Sequence, residues 1–286
     1  MKQDFRFIHR LRVRWAEVDM QKIVFNAHYL MYLDTAVSDY WRAMALPYEA
    51  TLAQLGGDLF VKKASLEYHA SARYDDALAI RMRCARIGTS SLVFDAEILR
   101  GEQLLVGGEL LYVYADPATQ KSQSVPDALR AALNGFEARE PMLTLHTGSW
   151  DDLQADAAPL RSKVFVHEQG VPEAMEWDAD DALSQHVVAR NRMGVAVGTG
   201  RLLPAVDGVS RLGRMAVLRE VRGAGVGHQV LLALRSLACA RGDRQIVIHA
   251  QRSAERFYRQ AGFVAQGEGF LEAGIDHVEM RLDLPA

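Results

Sequence analysis

The chain has 286 residues, about the length of two average domains. Its apolar content of 49% and charged content of 24% are those of globular proteins, and a net charge of −3 gives no support to nucleic-acid binding. The two cysteines, Cys84 and Cys239, lie far apart, so neither a disulfide framework nor a metal site is expected and a reducing cytoplasm is the expected location. No apolar run approaches the roughly 18 residues of a membrane-spanning helix. The N-terminal stretch is charged throughout and lacks the apolar core of a signal peptide.

Phe5 to Trp15 alternates apolar and basic residues, which predicts a strand. From Asn26 to about Leu46 the apolar residues Leu30, Leu33, Val37, Trp41 and Met44 form a helical stripe, widened by Tyr29, Tyr32, Ala36, Tyr40 and Ala43. So broad a stripe predicts a buried helix. Four strands are expected next, over Leu59–Tyr68, from about Leu78 to Ala85, from about Leu92 to Leu99, and over Gln103–Tyr114. One strand, a long buried helix and then four strands predict an antiparallel sheet wrapped round the helix.

The segment Val13-Arg14-Trp15-Ala16-Glu17-Val18-Asp19, followed by Ile23-Val24-Phe25-Asn26-Ala27-His28-Tyr29-Leu30, resembles the 4-hydroxybenzoyl-CoA thioesterase family and its YbgC/FadM relatives. The resemblance spans about Phe5 to Tyr114 and implies a hotdog fold that hydrolyses acyl-CoA. It implies that Asp19 is the nucleophile or general base, and that the backbone N–H of Asn26, at the helix start, meets the thioester oxygen. It also implies a homodimer or homotetramer, with each thioester site at a subunit interface. Lys22 stands where the family usually has glycine, and Asn26-Ala27-His28-Tyr29 stands for the more frequent His-Ala-Asn-Tyr. Glu17 and Lys22 are expected to be solvated, and His28 to be a polar core residue or a second acid/base.

Val125–Ala138 predicts a closing helix, with Pro126 in its first turn. Arg139–Trp150 has the composition of a linker, so domains are expected over 1–141 and 142–286.

The second half is organised round Arg211–Val230. A strand ending at Met215-Ala216-Val217 runs into Arg222-Gly223-Ala224-Gly225-Val226-Gly227, and then Val230, Leu231, Leu234, Leu237 and Ala238 recur at helical spacing. A glycine turn opening a helix offers N–H groups and a positive dipole end to a pyrophosphate. The spacing fits neither the dinucleotide fingerprint nor a Walker motif. With Arg161-Ser162-Lys163-Val164-Phe165-Val166-His167-Glu168-Gln169 upstream, and His249-Ala250-Gln251, Phe257–Phe263 and Gly267–Met280 downstream, this turn resembles the ElaA-type branch of the GNAT acetyltransferases, over about Leu145 to Leu284.

That resemblance implies a C-terminal α/β domain that transfers acetyl from acetyl-CoA to an amine. Met215, Ala216 and Val217 would line the pantetheine, Arg222 to Gly227 would bind the pyrophosphate, and Tyr258 would protonate the departing thiolate. Glu168, Glu176, Asp178 and His249 are candidates for the base. The acidic run Glu176–Asp181 would either attract a cationic amine or lie as a solvated loop. The whole chain is therefore expected to be an α+β bifunctional enzyme of CoA thioesters without a metal. A protein that senses or scaffolds acyl-CoA without turnover is the alternative.

Overall fold

The computed structural model describes residues 5–285, so the first four residues of the charged N-terminal stretch lie outside the described residues. The chain divides into two compact units, Met1–Met142 and Leu143–Ala286.

The first unit runs β1 (Phe7–Arg12), α1 (Asn26–Ala43), α2 (Tyr48–Leu55), β2 (Asp58–Tyr68), β3 (Ala77–Ile87), β4 (Ser91–Arg100), β5 (Gln103–Ala115) and α3 (Asp127–Glu137). Its strands form an antiparallel sheet in the order β1-β3-β4-β5-β2, with α1 packed on β1 and β3, which is the expected hotdog arrangement. The broad apolar stripe of α1 is the reason: Leu33, Ala36, Tyr40 and Trp41 are completely or almost completely buried. The Tyr40 ring stands edge-on to Phe94 at 5.3 Å and to Phe136 of α3 at 4.9 Å. Gly108 of β5 allows the close approach of helix to sheet, because a Cβ there would lie 3.0 Å from Leu33 Cδ1. Leu30 departs from the expected stripe and is exposed, as is Met31 beside it. The helix α2 has no counterpart in the sequence reading. It starts after Pro47 and stops at Gly56, whose φ of 75° is left-handed.

The second unit runs β6 (Leu143–Gly148), α4 (Trp150–Arg161), a π-helical stretch over Ser162–Glu168, α5 (Glu173–Glu176), α6 (Asp180–Leu183), β7 (Gln185–Asn191), β8 (Ala196–Leu202), β9 (Val209–Val217), α7 (Val226–Arg241), β10 (Gln245–Gln251), α8 (Glu255–Gln260), β11 (Val264–Glu272) and β12 (Ile275–Asp283). The sheet order is β11-β12-β10-β9-β8-β7-β6, parallel between β9 and β10 and antiparallel elsewhere. The expected linker over Arg139–Trp150 is corrected here. Leu143–Gly148 pairs with β7 as an edge strand, and Ser149 caps α4 by accepting the Asp152 N–H. Its Thr, Gly and Ser are the residues of a short edge strand and a helix cap, which share their composition with linkers.

In α7 the predicted positions Val230, Leu231, Leu234 and Ala238 are buried. Gly198 of β8 sets where this helix begins. A Cβ on it would lie 2.5 Å from Val226 Cγ1, so only glycine lets the start of α7 rest on the sheet.

Candidate functional site

In the first unit a tight loop precedes α1. Val18 bridges to Val24, the Asp19 N–H donates to the Ile23 carbonyl at 2.9 Å, and the Lys22 N–H donates to the Asp19 carbonyl at 2.9 Å. Closing this loop puts Lys22 at φ 61°, a left-handed conformation that favours glycine. The Lys22 departure is therefore one of backbone strain. Asp19 Oδ1 accepts the Gln21 N–H at 2.8 Å. Asn26 is the first residue of α1, where an N–H has no intrahelical acceptor. Asp19 and Asn26 come together on one cavity of about 390 Å³, which Tyr29, Tyr68 and His69 also line.

Sequence reasoning missed Tyr68 and His69 as lining groups, since only the fold brings the end of β2 to this loop. The Tyr68 hydroxyl donates to the Asn26 carbonyl at 3.3 Å, and the Tyr29 hydroxyl accepts the Ala72 N–H at 2.8 Å. His28 is not among the residues that line the cavity; its ring stands edge-on to Phe25 at 6.1 Å, and its Nδ1 is buried without a partner.

The expectation for Glu17 is corrected. Its side chain is buried, not solvated, and accepts the Tyr32 hydroxyl, the Arg14 N–H and the Arg14 Nε, each at 2.7 Å. Its carbonyl accepts the Phe25 N–H at 2.9 Å. Burial alone would raise the Glu17 carboxyl, but these donors outweigh it and hold the group below the usual glutamate range. Glu17 is thus the post to which the Asp19 loop and the start of α1 are tied.

In the second unit β9 and β10 share a ladder only over Val209–Leu212 and Gln245–Ile248. A bulge follows in β9, where the pairing with β8 shifts register and Arg214 takes φ 50°. Ala216 and Val217 stay paired with β8, so the opposite edge of β9 is open. A cleft of about 710 Å³ lies along that edge. Met215, Val217, Arg222, Gly223, Gly225, Val226 and Gly227 all line it. Ala216 is buried and does not line the cleft, and Ala224 does not line it either.

Gly223 and Gly225 have φ of 92° and 80°, and Gly225 is the N-cap of α7. The N–H groups of Val226, Gly227 and His228 therefore start a helix with no intrahelical acceptor, which suits a phosphate. The Arg222 guanidinium is held by both oxygens of Glu168 at 2.6 and 2.8 Å and by the Val217 carbonyl at 3.1 Å. Glu168 is thereby occupied in fixing the loop and is unsuited to be a base.

Tyr258 is buried on α8, edge-on to Phe257 at 4.9 Å and to Phe263 at 5.7 Å. Burial pushes its phenol well above the usual tyrosine value, so it holds its proton throughout the neutral range. A second cavity of about 310 Å³ adjoins the cleft, and Gln169, Met215, Gln251, Ala254 and Tyr258 line both.

The acidic run is a solvated loop only in part, since Asp178, Ala179 and Asp180 are exposed while its two ends are not. Glu176 and Asp181 are buried, and Arg161, which is completely buried, donates to Glu176 Oε1 at 2.6 Å and to Asp181 Oδ1 at 2.7 Å. Arg201 donates to Asp178 at 2.5 Å and to Asp181 at 2.6 Å. Arg214, at the β9 bulge, donates to the Glu176 carbonyl at 3.1 Å and to Asp178 at 3.0 Å. The Trp150 and Trp177 rings stack on the Arg161 guanidinium at 5.1 and 4.8 Å.

The Arg201 hydrogen bond holds Asp178 below its ordinary value. Asp181 is also lowered, because its bonds to Arg161 and Arg201 outweigh its burial. Burial wins at Glu176, which is raised despite Arg161. With their oxygens engaged by arginines, Glu176 and Asp178 have a structural part. Of the four candidate bases, His249 alone lines the second cavity without being committed to that cluster or to Glu168; its Nδ1 lies 3.1 Å from Glu272 Oε2.

Comparison with known proteins agrees with both halves. A model of the thioesterase-like superfamily matches residues 13–133, and one of the acetyltransferase (GNAT) domain matches residues 150–284. An uncharacterized N-acetyltransferase, YjcF of Bacillus subtilis (strain 168), is 38% identical over 129 residues, covering 45% of this chain and 91% of that protein. The uncharacterized protein YyaT of the same organism is 32% identical over 132 residues, covering 45% and 88%. A solved 1,4-dihydroxy-2-naphthoyl-CoA thioesterase from Synechocystis is 20% identical with a TM-score of 0.43, covering 46% of this chain and 97% of its own.

The lowered Glu17 carboxyl has a consequence for stability. Its contribution is complete above the unfolded-state value near 4.5 and is lost as pH falls through the lower folded value. Urea unfolding of the wild type is therefore expected to lose stability from about pH 4.5 downward, and that part of the loss is expected to be missing in Glu17→Gln.

Proposed function

Because the chain belongs to the GNAT acetyltransferase family and carries a thioesterase-like hotdog domain ahead of that half, we propose that it is a bifunctional enzyme of CoA thioesters. The C-terminal unit transfers acetyl from acetyl-CoA to an amine, and the N-terminal unit hydrolyses acyl-CoA.

The observation that carries the acetyl-transfer reading is the parting of β9 from β10 beside the glycine turn. The open edge of β9 offers backbone groups to pantetheine along Met215 to Val217. The start of α7 offers N–H groups and dipole to the pyrophosphate. Tyr258, at the junction of the two cavities, donates its proton to the sulfur as the C–S bond breaks. Tyr258→Phe is expected to lower kcat for acetyl transfer at least tenfold while the dissociation constant for acetyl-CoA stays within twofold. Unchanged kcat in a steady-state assay of thiol release with a competent amine would remove Tyr258 from the reaction.

The hydrolytic reading rests on Asp19 and Asn26 lining one cavity. The Asn26 N–H polarises the thioester carbonyl, and Asp19 attacks it or activates water. A second reading is favoured by the hydrogen bond from the Gln21 N–H to Asp19, which is that of a turn residue. In that reading the unit binds acyl-CoA without turnover, as a sensor or scaffold. Release of thiol from a panel of acyl-CoAs, without amine, separates the two. Asp19→Asn is expected to abolish hydrolysis and to retain binding; binding without thiol release from any acyl-CoA by the wild type favours the second reading, and hydrolysis that persists in the variant removes Asp19 from the reaction.

The hotdog unit is proposed to assemble at least as a homodimer. The edge strand β2 exposes Phe60, Val61 and Tyr68, and the start of α1 exposes Phe25, Leu30 and Met31 beyond it. An unpaired edge with this much apolar surface calls for cover. Light scattering at micromolar concentration is expected to give at least twice the 31.8 kDa chain mass, and a monomer mass would refute the assembly.

A further inference from the structure

The cavity beyond Tyr258 contains one arginine that the charge cluster does not use. Arg201 and Arg214 are bound to Asp178, Asp181 and the Glu176 segment, but Arg211 makes no ion pair among the described residues. It is exposed, lines the cavity, and sends one donor, Nη2, to His249 Nδ1 at 2.7 Å. The same Nδ1 lies 3.1 Å from Glu272 Oε2. A ring nitrogen presents either a lone pair or a proton, so Nδ1 serves Arg211 or Glu272 but not both. With Arg211 bonded, the ring proton sits on Nε2 and the imidazole has no free lone pair for a substrate. With Arg211 drawn away, Nδ1–H donates to Glu272 and Nε2 is free to accept a proton.

Phe270 fixes the ring edge-on at 4.8 Å and stacks on His277, so a change of partner shifts a proton rather than the ring. Burial raises Glu272, but the His249 hydrogen bond and the charges of His249, His277 and Arg211 bring it below the usual range, so it stays an acceptor.

We propose that the acceptor is a small amine bearing a carboxylate, that Arg211 anchors the carboxylate, and that His249, backed by Glu272, takes the proton from the amine. The proposal rests on the acetyl-transfer reading of this unit. The acceptor enters as the free amine. Its nitrogen bonds to the thioester carbon, the C–S bond breaks, the N–H proton passes to His249 Nε2, and the CoA thiolate takes the Tyr258 proton. Return of the proton from imidazolium to phenolate through water restores both groups, so the net change is one proton from nitrogen to sulfur. Binding of the carboxylate and activation of the base are one event, because both depend on Arg211 leaving Nδ1. A cavity of about 310 Å³ holds a ligand of amino-acid size.

The test uses the full chain and matched pairs of acceptors: glycine, methionine and phenylalanine against their carboxamides, with spermidine as a dication lacking a carboxylate. Acetylation is followed by thiol release. Binding to the CoA-loaded protein is followed by calorimetry. The acids are expected to show KM values at least tenfold below their amides in the wild type. That ratio is expected to fall to near one in Arg211→Gln and to recover in part in Arg211→Lys. Glu272→Gln is expected to lower kcat for every acceptor without changing the ratio of KM values, which separates support of the base from anchoring. Equal KM for acids and amides, or a preference for spermidine, would overturn the proposal. If no amine is acetylated, the acetyl-transfer reading fails, and calorimetry then decides the anchor alone: binding of acid over amide that Arg211→Gln abolishes upholds it, and no such preference overturns it.

Discussion

The C-terminal unit hangs on a charge cluster of Arg161, Arg201 and Arg214 against Glu176, Asp178 and Asp181, in which Arg161, Arg201, Glu176 and Asp181 are buried, Arg214 is half-buried and Asp178 is exposed. Arg161 is the last residue of α4, Arg201 lies on β8 and Arg214 sits at the bulge of β9, so the cluster joins three elements through one loop. Taking the four buried charges out of water is costly, and such a cluster holds only when each of them is paired and hydrogen-bonded. Loss of Arg161 would take from the buried Glu176 its 2.6 Å partner, at about 3–5 kcal/mol. The cluster contributes position more than net stability. It holds Arg214 at φ 50°, where the bulge turns β9 away from β10 and opens the cleft.

The candidate sites of both units share one device, a helix start. In the first, Asn26 opens α1 beside Asp19. In the second, Gly225 opens α7 below the splayed strand. The two are secured differently. Glu17, buried and fully hydrogen-bonded, ties the loop ahead of α1, and the bidentate Glu168–Arg222 pair with Lys163–Glu220 at 2.8 Å ties the loop ahead of α7 to the π-helical stretch. A carboxylate serves as a fixed post in each case: Glu17 accepts from the Arg14 N–H and from side chains, and Glu168 from both arms of the Arg222 guanidinium. π-Helical turns often mark functional sites, and this one carries Glu168 and leads into Gln169, which lines both cavities.

Much of this was legible in the chain. The alternation in the strands, the broad stripe of α1 and the glycine turn with its following helical spacing are local patterns, and each produced the element expected. The cleft residues Met215, Val217, Arg222, Gly223, Gly225, Val226 and Gly227 could be named because strand, turn and helix are contiguous in sequence. The roles of Glu17, Glu168, Glu176 and Asp178 could not. A carboxylate looks the same in sequence whether water or an arginine faces it, and their partners stand 3 to 54 positions away. The segment Leu143–Gly148 was misread for the same reason: its partner β7 lies beyond α4, the π-helical stretch, α5 and α6, and its composition is that of a loop.

By itself the sequence determined which elements form and in what order, because backbone propensity, side-chain periodicity and glycine's access to positive φ all act within a few residues. It also determined the two family likenesses, which rest on short contiguous blocks. Only the tertiary structure decided which charges are buried, where β9 leaves β10, and that Arg211, His249 and Glu272 converge on one cavity from β9, β10 and β11. Those outcomes depend on which strands the sheet brings close together across long stretches of chain, and no local pattern records them.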